Sequence, residues 1–250
     1  MKSLKNRRAL VIGGTGGIGA ATATLLAEAG AEVAITWRRG GLNDVEAEAR
    51  RAALDAGSHF AIEADVADSP SLERLRDVLA ERWGSLDIVV HAAGFTTPIP
   101  AQNLDALTDE LIDSIFQVNW RGQFASMRAL APLLKASGDG LAVFISSIAA
   151  VNGAGSNIAY GAAKAGIETL VKSLARALAP EIRVMGVSPG VVATDFVPGR
   201  DAAFNAKIGA SLPLRRVATA EDVANAILAC ATHLGYATGT TIVVDGGRLL

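Results

Sequence analysis

Tyr160 and Lys164 stand four residues apart, so on a helix their side chains share one face. A free phenol titrates near pH ~10, too high for ready proton exchange at neutral pH. A neighbouring ammonium favours the phenolate and brings the hydroxyl into the acid–base range. Taken alone, such a pair is common surface decoration. Three features change that reading: the chain has only 2 tyrosines, Ser146-Ser147 closes an apolar strand-like run, and Tyr160 follows Ser147 by 13 residues.

A second constellation lies near the N-terminus. The run Ala9–Ile12 leads into Gly13-Gly14-Thr15-Gly16-Gly17-Ile18-Gly19, and a helix is expected from about Gly17. Glycines there permit a tight turn and let backbone N–H groups approach a phosphate. The spacing fits GxGxxG on 14, 16 and 19 and equally GxxxGxG on 13, 17 and 19, so its register stays open. No Lys-Ser/Thr follows, which excludes a Walker loop and favours a dinucleotide. The second strand ends in Thr36-Trp37-Arg38-Arg39, with no acid at its tip for a ribose 2′-hydroxyl. Guanidinium groups there suit a 2′-phosphate, so the sequence leans to NADP(H), with NAD(H) open and solvated arginines the bland reading. Asp65, beyond the third strand, is placed to accept from the adenine amino group or to cap the next helix.

The elements that must position these groups alternate along the chain. Strand-like runs fall at Ala9–Ile12, Glu32–Thr36, His59–Ile62, Asp87–His91, Leu141–Ser146, Arg183–Val187 and Thr241–Val244. Helix-like stretches lie near 17–29, 43–56, 70–83, 105–118, 121–137, 157–179 and 220–233. This alternation predicts a seven-stranded parallel sheet, doubly wound in the Rossmann manner, with helices on both faces. No repeat or linker divides residues 1–250, so one α/β domain is expected. Residues 191–213 lack clear periodicity and are expected to form a substrate loop.

Composition narrows the function classes. With 23 Lys+Arg against 25 Asp+Glu and a net charge of −2, there is no electrostatic case for nucleic acid. Cys230 is the single cysteine, which excludes an intramolecular disulfide and a multi-thiolate metal site; no metal is expected. The uncharged run Ala9–Ala27 after MKSLKNRR contains five glycines, and its opening apolar stretch is too short for an export core. Gly140–Ala163 carries Ser146, Ser147, Asn152, Ser156 and Asn157, unsuited to lipid. A cytoplasmic protein with no membrane partner is expected.

Together with these motifs, Leu86-Asp87-Ile88-Val89-Val90-His91-Ala92-Ala93-Gly94, Asn119, Ile182-Arg183-Val184, Ser188-Pro189-Gly190 with Thr194, and Val243-Val244-Asp245-Gly246-Gly247 occur in order across nearly the whole chain. The sequence resembles the short-chain dehydrogenase/reductase family, in its compact branch that includes 3-oxoacyl-carrier-protein reductases. The resemblance implies hydride transfer between a nicotinamide and a carbonyl or secondary alcohol. It casts Tyr160 as proton donor or acceptor, Lys164 as the group that lowers its pKa and holds the nicotinamide ribose, and Ser147 as the carbonyl's hydrogen-bond partner. Asn119 would link Lys164 to a water chain. Gly13, Thr15, Gly17, Ile18 and Gly19 would hold the cofactor phosphates, with Trp37, Arg38, Arg39, Asp65 and Val66 around the adenosine. Ala92, Ala93 and Gly94 would lie beneath its ribose, and Pro189, Gly190, Val192 and Thr194 would hold the carboxamide. Relatives commonly form homotetramers, sometimes homodimers, through helices equivalent to 105–137 and 157–179 and the last strand.

Three positions depart from the family pattern: Ile12 replaces a Thr, His91 an Asn, and Met185 an Asn. Ile12 and His91 end neighbouring strands, so a polar link between them is lost. His91 reads as a satisfied core-edge histidine, since Ser147, Tyr160 and Lys164 already supply the proton. A sugar-nucleotide epimerase would need a larger C-terminal region, and a non-catalytic NAD(P)-binding scaffold or sensor would have no reason to keep Asn119, Ser147, Tyr160 and Lys164. The walls at 95–100, 148–158 and 191–213 are mostly apolar or small, with Asp195, Arg200, Asp201 and Lys207 as fixed charges. They predict a neutral or weakly polar small-molecule substrate.

Overall fold

The computed structural model describes residues 3–38, 40, 44–54 and 57–250. Seven parallel strands form one sheet in the order β3-β2-β1-β4-β5-β6-β7. They are β1 (Arg8–Ile12), β2 (Glu32–Trp37), β3 (Phe60–Glu63), β4 (Ile88–His91), β5 (Gly140–Ile145), β6 (Ile182–Pro189) and β7 (Thr240–Val244). The strand order reverses between β1 and β4, so a crevice opens there beyond their carboxyl ends. β4 and β5 are buried throughout, which is why they read as unbroken apolar runs rather than alternating ones. At the opposite end of the sheet, Asp87 accepts from the Arg8 backbone N–H at 2.9 Å and from Arg7 Nη1 at 2.6 Å. That contact pins β4 to the start of β1.

Helices α1 (Gly17–Glu28) and α9 (Ala220–Thr232) cover one face, burying Leu26, Val223 and Ile227. Helices α3 (Ser69–Trp83), α5 (Gly122–Ala136) and α7 (Ile158–Leu178) cover the other. Leu72, Leu75 and Leu79 recur on one stripe of α3 and are fully buried, each contributing roughly 1.5–3 kcal/mol of hydrophobic stabilisation. Asp68 accepts from Ser71 N–H at 3.1 Å to open α3, and Gly84 closes it at φ 72°. Helix α2 (Asp44–Ala52) lies between β2 and β3 in the chain.

Three local expectations change. The helices expected at 105–118 and 121–137 are not separate. A short 3-10 turn, Leu104–Ala106, precedes α4 (Asp109–Phe116), which runs through a π-turn at Gln117–Arg121 directly into α5. The extra residue in that wider turn sends Asn119 into the interior, where it is wholly buried. Residues 191–213 are not all loop: Asp201 accepts from Phe204 N–H at 2.8 Å and starts α8 (Ala202–Ser211). A one-turn helix, α6 (Ala149–Asn152), follows β5. No described helix is long and apolar enough to cross a membrane.

Candidate active site

Beyond β1, the turn supplies the conformations only glycine takes easily. Gly13 has φ 79° and Gly17 φ 50°, and a Cβ at 13 would stand 2.7 Å from the Ala93 nitrogen. A Cβ at Gly19 would strike the Gly13 carbonyl. Positions 13 and 17 need glycine for their positive φ and 19 for its close approach, which supports the GxxxGxG register; Gly14 is crowded too, with a Cβ 2.7 Å from Ile35 Cγ2, but a Cβ at Gly16 would meet nothing. The Gly13 N–H donates to Thr36 Oγ1 at 3.0 Å, which fixes the turn to β2. No side chain caps the N-terminus of α1, and its first turn holds no acidic residue. Its free N–H groups and positive dipole end are a fitting seat for a pyrophosphate.

A cavity of about 420 Å³ runs from this turn to Ser147, Tyr160 and Lys164. Asn157 seats the start of α7: its Oδ1 accepts from Tyr160 N–H at 2.7 Å, while its Nδ2 donates to Thr96 Oγ1 at 3.2 Å and the Thr97 carbonyl at 2.8 Å. The first turn of α7 then aims Tyr160 into the cavity. One turn on, Lys164 is buried; its Nζ donates to the Ile145 carbonyl at 2.7 Å and lies 5.6 Å from the Tyr160 ring centre. Burial lowers the Lys164 ammonium to about 8. The Tyr160 phenol is pushed up to about 12 by burial, against opposing pulls from the Ser147 hydroxyl and the Arg200 charge. At neutral pH the tyrosine is a protonated donor and the lysine is charged.

Asn119 Nδ2 donates to the Phe95 and Ile115 carbonyls at 2.9 and 3.0 Å, and its buried Oδ1 has no protein partner. Gly94 lies against that oxygen; a Cβ there would come within 2.7 Å. His91 pairs with Ile12 across β4 and β1, as their positions imply. It is buried at the core edge and stacks on Phe144, with ring centres 6.4 Å apart. Neither ring nitrogen makes a well-formed hydrogen bond to another protein group, and the His91 and Gly122 backbone groups only weakly favour the charged ring. Burial, reinforced by the nearby Lys164 charge, lowers its pKa to about 3, so the ring is neutral and no acid–base group.

Of the residues singled out in the sequence, the cavity brings together Gly13, Gly17, Ile18, Gly19, Ala92, Gly94, Ser147, Tyr160, Lys164, Pro189, Gly190, Val192 and Thr194. Thr15, Trp37, Arg38, Asp65, Val66, Ala93 and Asn119 do not line it. Trp37 and Val66 are buried, while Arg38 is exposed at the end of β2. Arg39 lies outside the described residues. Asp65 accepts from Ala67 N–H at 2.8 Å, whereas the cap of α3 is Asp68. Asp195 and Arg200 line the cavity, but Asp201 caps α8 and Lys207 is exposed. Sequence reasoning missed Arg248, Phe196 and Asn157. The polar residue immediately before a new apolar-periodic run was the available signal for Asn157. Arg248 carried none, because only the Gly246-Gly247 turn after β7 brings it back to the cavity.

Residues 13–248 match the family model described as enoyl-(acyl carrier protein) reductase. The chain is 36% identical over 250 residues to cis-4-hydroxycyclohexanecarboxylate dehydrogenase of Sinomonas cyclohexanicum, covering 98% of each. It is 31% identical over 252 residues to 3-oxoacyl-(acyl-carrier-protein) reductase of Staphylococcus aureus, covering 100% of each. A solved short-chain type dehydrogenase/reductase from Mycobacterium ulcerans superposes with a TM-score of 0.89 at 30% identity, over 99% of this chain and 91% of that one.

Proposed function

The chain belongs to the short-chain dehydrogenase/reductase family of NAD(P)-dependent oxidoreductases, and on that premise we propose that it reduces a small carbonyl compound, or oxidises the matching secondary alcohol, with NADP(H). The observation that carries this reading is the single cavity joining the glycine turn at one end to Ser147, Tyr160 and Lys164 at the other. When bound, the nicotinamide donates or accepts a hydride at its C4. Tyr160 would give its proton to the carbonyl oxygen in reduction and take one back in the oxidative direction. Ser147 hydrogen-bonds the same oxygen and stabilises the charge that develops there. The Lys164 ammonium holds the phenolate left behind and reaches the nicotinamide ribose. Asn119, with its unpartnered Oδ1, anchors a water that returns the proton to Lys164. Two neighbouring hydroxyl donors, Ser147 and Tyr160, suit a C=O substrate better than a carbon–carbon double bond, although the matching family model is that of an enoyl reductase.

Gly13, Thr15, Gly17, Ile18 and Gly19 carry the pyrophosphate in this proposal. Arg38 and Trp37 take the 2′-phosphate together with Arg39, the next residue in sequence and outside the described ones, and Asp65 and Val66 border the adenine. Ala92, Ala93 and Gly94 support the adenosine ribose; Pro189, Gly190, Val192 and Thr194 hold the carboxamide. Residues 191–213 form the substrate segment, of which only those up to Arg200 line the cavity. The assembly is a homotetramer.

Tyr160→Phe tests the chemistry. It is expected to keep NADPH affinity while kcat falls by roughly a hundredfold or more, the loss of a general acid. Near-normal turnover of a carbonyl panel would overturn the mechanism. Titration with NADPH and NADH tests the cofactor: NADPH is expected to bind at least about tenfold tighter, with the gap closing in Arg38→Ala. Equal or tighter NADH binding would reverse the preference.

A further inference from the structure

Two guanidinium groups face the reacting end of the cavity without a counter-ion. Arg200, half-buried just before α8, and Arg248, after the Gly246-Gly247 turn, line the same cavity as Tyr160 and Phe196. Phe196 packs on Tyr160 with ring centres 6.0 Å apart, and the Arg200 guanidinium sits 5.1 Å from the Phe204 ring centre. Among the described residues, the ion pairs involve neither arginine. The carboxylates next to them in sequence are committed elsewhere. Asp201 accepts from Phe204 N–H, and Asp245 accepts from Gly247 and Leu249 N–H at 2.8 and 2.9 Å. Asp195 lines the cavity and pairs with neither arginine. Burial lowers the Arg200 pKa; the Tyr160 phenol opposes that shift and the Arg248 charge adds to it. Two like charges brought together on one cavity wall, Arg200 half-buried beside the Phe204 ring and Arg248 exposed, make a site suited to an anion.

We propose that the substrate carries one carboxylate, which Arg200 and Arg248 bind while its carbonyl meets Ser147 and Tyr160 and its hydrocarbon body lies on Phe196. This rests on the oxidoreductase reading above and refines its substrate class. It sharpens the neutral or weakly polar substrate expected from sequence to one bearing a single charge; there Arg200 was one of four fixed charges and Arg248 went unnoticed. The fork of a guanidinium matches a carboxylate better than it matches an ester or amide.

The test compares 4-oxopentanoate and 3-oxocyclohexanecarboxylate with their methyl esters, in wild type and in Arg200→Met. Wild type is expected to prefer each keto acid by at least about tenfold in kcat/KM, with that ratio collapsing toward one in the variant. A ratio near one in wild type, or one unchanged in Arg200→Met, overturns the proposal. NADPH affinity is measured alongside and is expected to move by less than about twofold; a loss of about tenfold or more would assign Arg200 to the cofactor phosphates and overturn it. Calorimetric binding of cyclohexanecarboxylate to the NADP(H)-loaded protein reads the anion site without turnover. Binding that weakens in Arg200→Met supports the site even if no carbonyl is reduced, a result that would count against the oxidoreductase reading alone. No binding in wild type overturns the site.

Discussion

The same burial acts in opposite directions on Lys164 and Tyr160, because it disfavours a charge of either sign. It brings the ammonium down to about 8 and pushes the phenol up to about 12. Carbonyl reduction uses a protonated tyrosine beside a charged lysine, and that combination persists up to the lysine's pKa. The kcat/KM for reduction should therefore be flat near neutrality and fall as pH rises through about 8. A pH–rate profile checks this, and a profile level well above that point would contradict it. His91 gives a stability counterpart. Its folded pKa is depressed from 6.5 to about 3, so its contribution is present above 6.5 and lost as pH falls toward 3, where the unfolded chain binds a proton the native state refuses. Urea unfolding should show wild type losing stability more steeply than His91→Asn as pH falls below 6.5. Equal slopes would mean that the native ring takes up the proton.

At the scale of elements, Asn157 couples the start of α7 to the segment after β4. Its side chain caps the helix through Tyr160 N–H and donates to Thr96 and Thr97. Asn157→Ala loses a cap worth about 1 kcal/mol and the two bonds to Thr96 and Thr97, at a further ~1 kcal/mol or less because Thr97 is exposed and Thr96 keeps Ser156. Denaturant unfolding should register the sum, and kcat should drop by about tenfold with little change in NADPH affinity, since Tyr160 and not the glycine turn is displaced. What was legible in sequence follows similar lines. The inner strands read clearly because burial on both faces makes them continuous apolar runs, unlike the partly buried edges β3 and β7, and the Tyr–Lys spacing placed both side chains in one cavity. Helix α8 was not legible because its apolar residues form no stripe; only the Asp201 cap marked it. The π-turn at Gln117–Arg121 has no glycine or proline before Gly122 to announce it, so it read as a break between helices. Its one signal was Asn119, a polar residue at a position the helix turned inward.

For the whole molecule, the question is which surfaces another copy covers. β7 is an edge strand with Val243 exposed, and the apolar Leu249 and Leu250 extend beside it. An open, apolar edge is a pairing hazard unless something closes it. A separate apolar surface lies on the α4–α5 helix, where exposed Phe116 and Phe124 accompany Trp120, which stacks on Phe124 with centres 6.3 Å apart. The proposed homotetramer follows if each face meets its own copy about a separate twofold axis, which closes the assembly at four chains. Light scattering should accordingly give four times the chain mass of 25.6 kDa. Phe124→Asp buries a charge at the helical face, and Val243→Lys does so at the strand edge. Each alone should leave a dimer held by the other face, and the pair together should leave a monomer. If Phe124→Asp leaves the tetramer intact, the helical face is not an interface. A wild-type monomer would remove both faces from the proposal while leaving the cavity chemistry untouched, because every residue assigned to it comes from one chain.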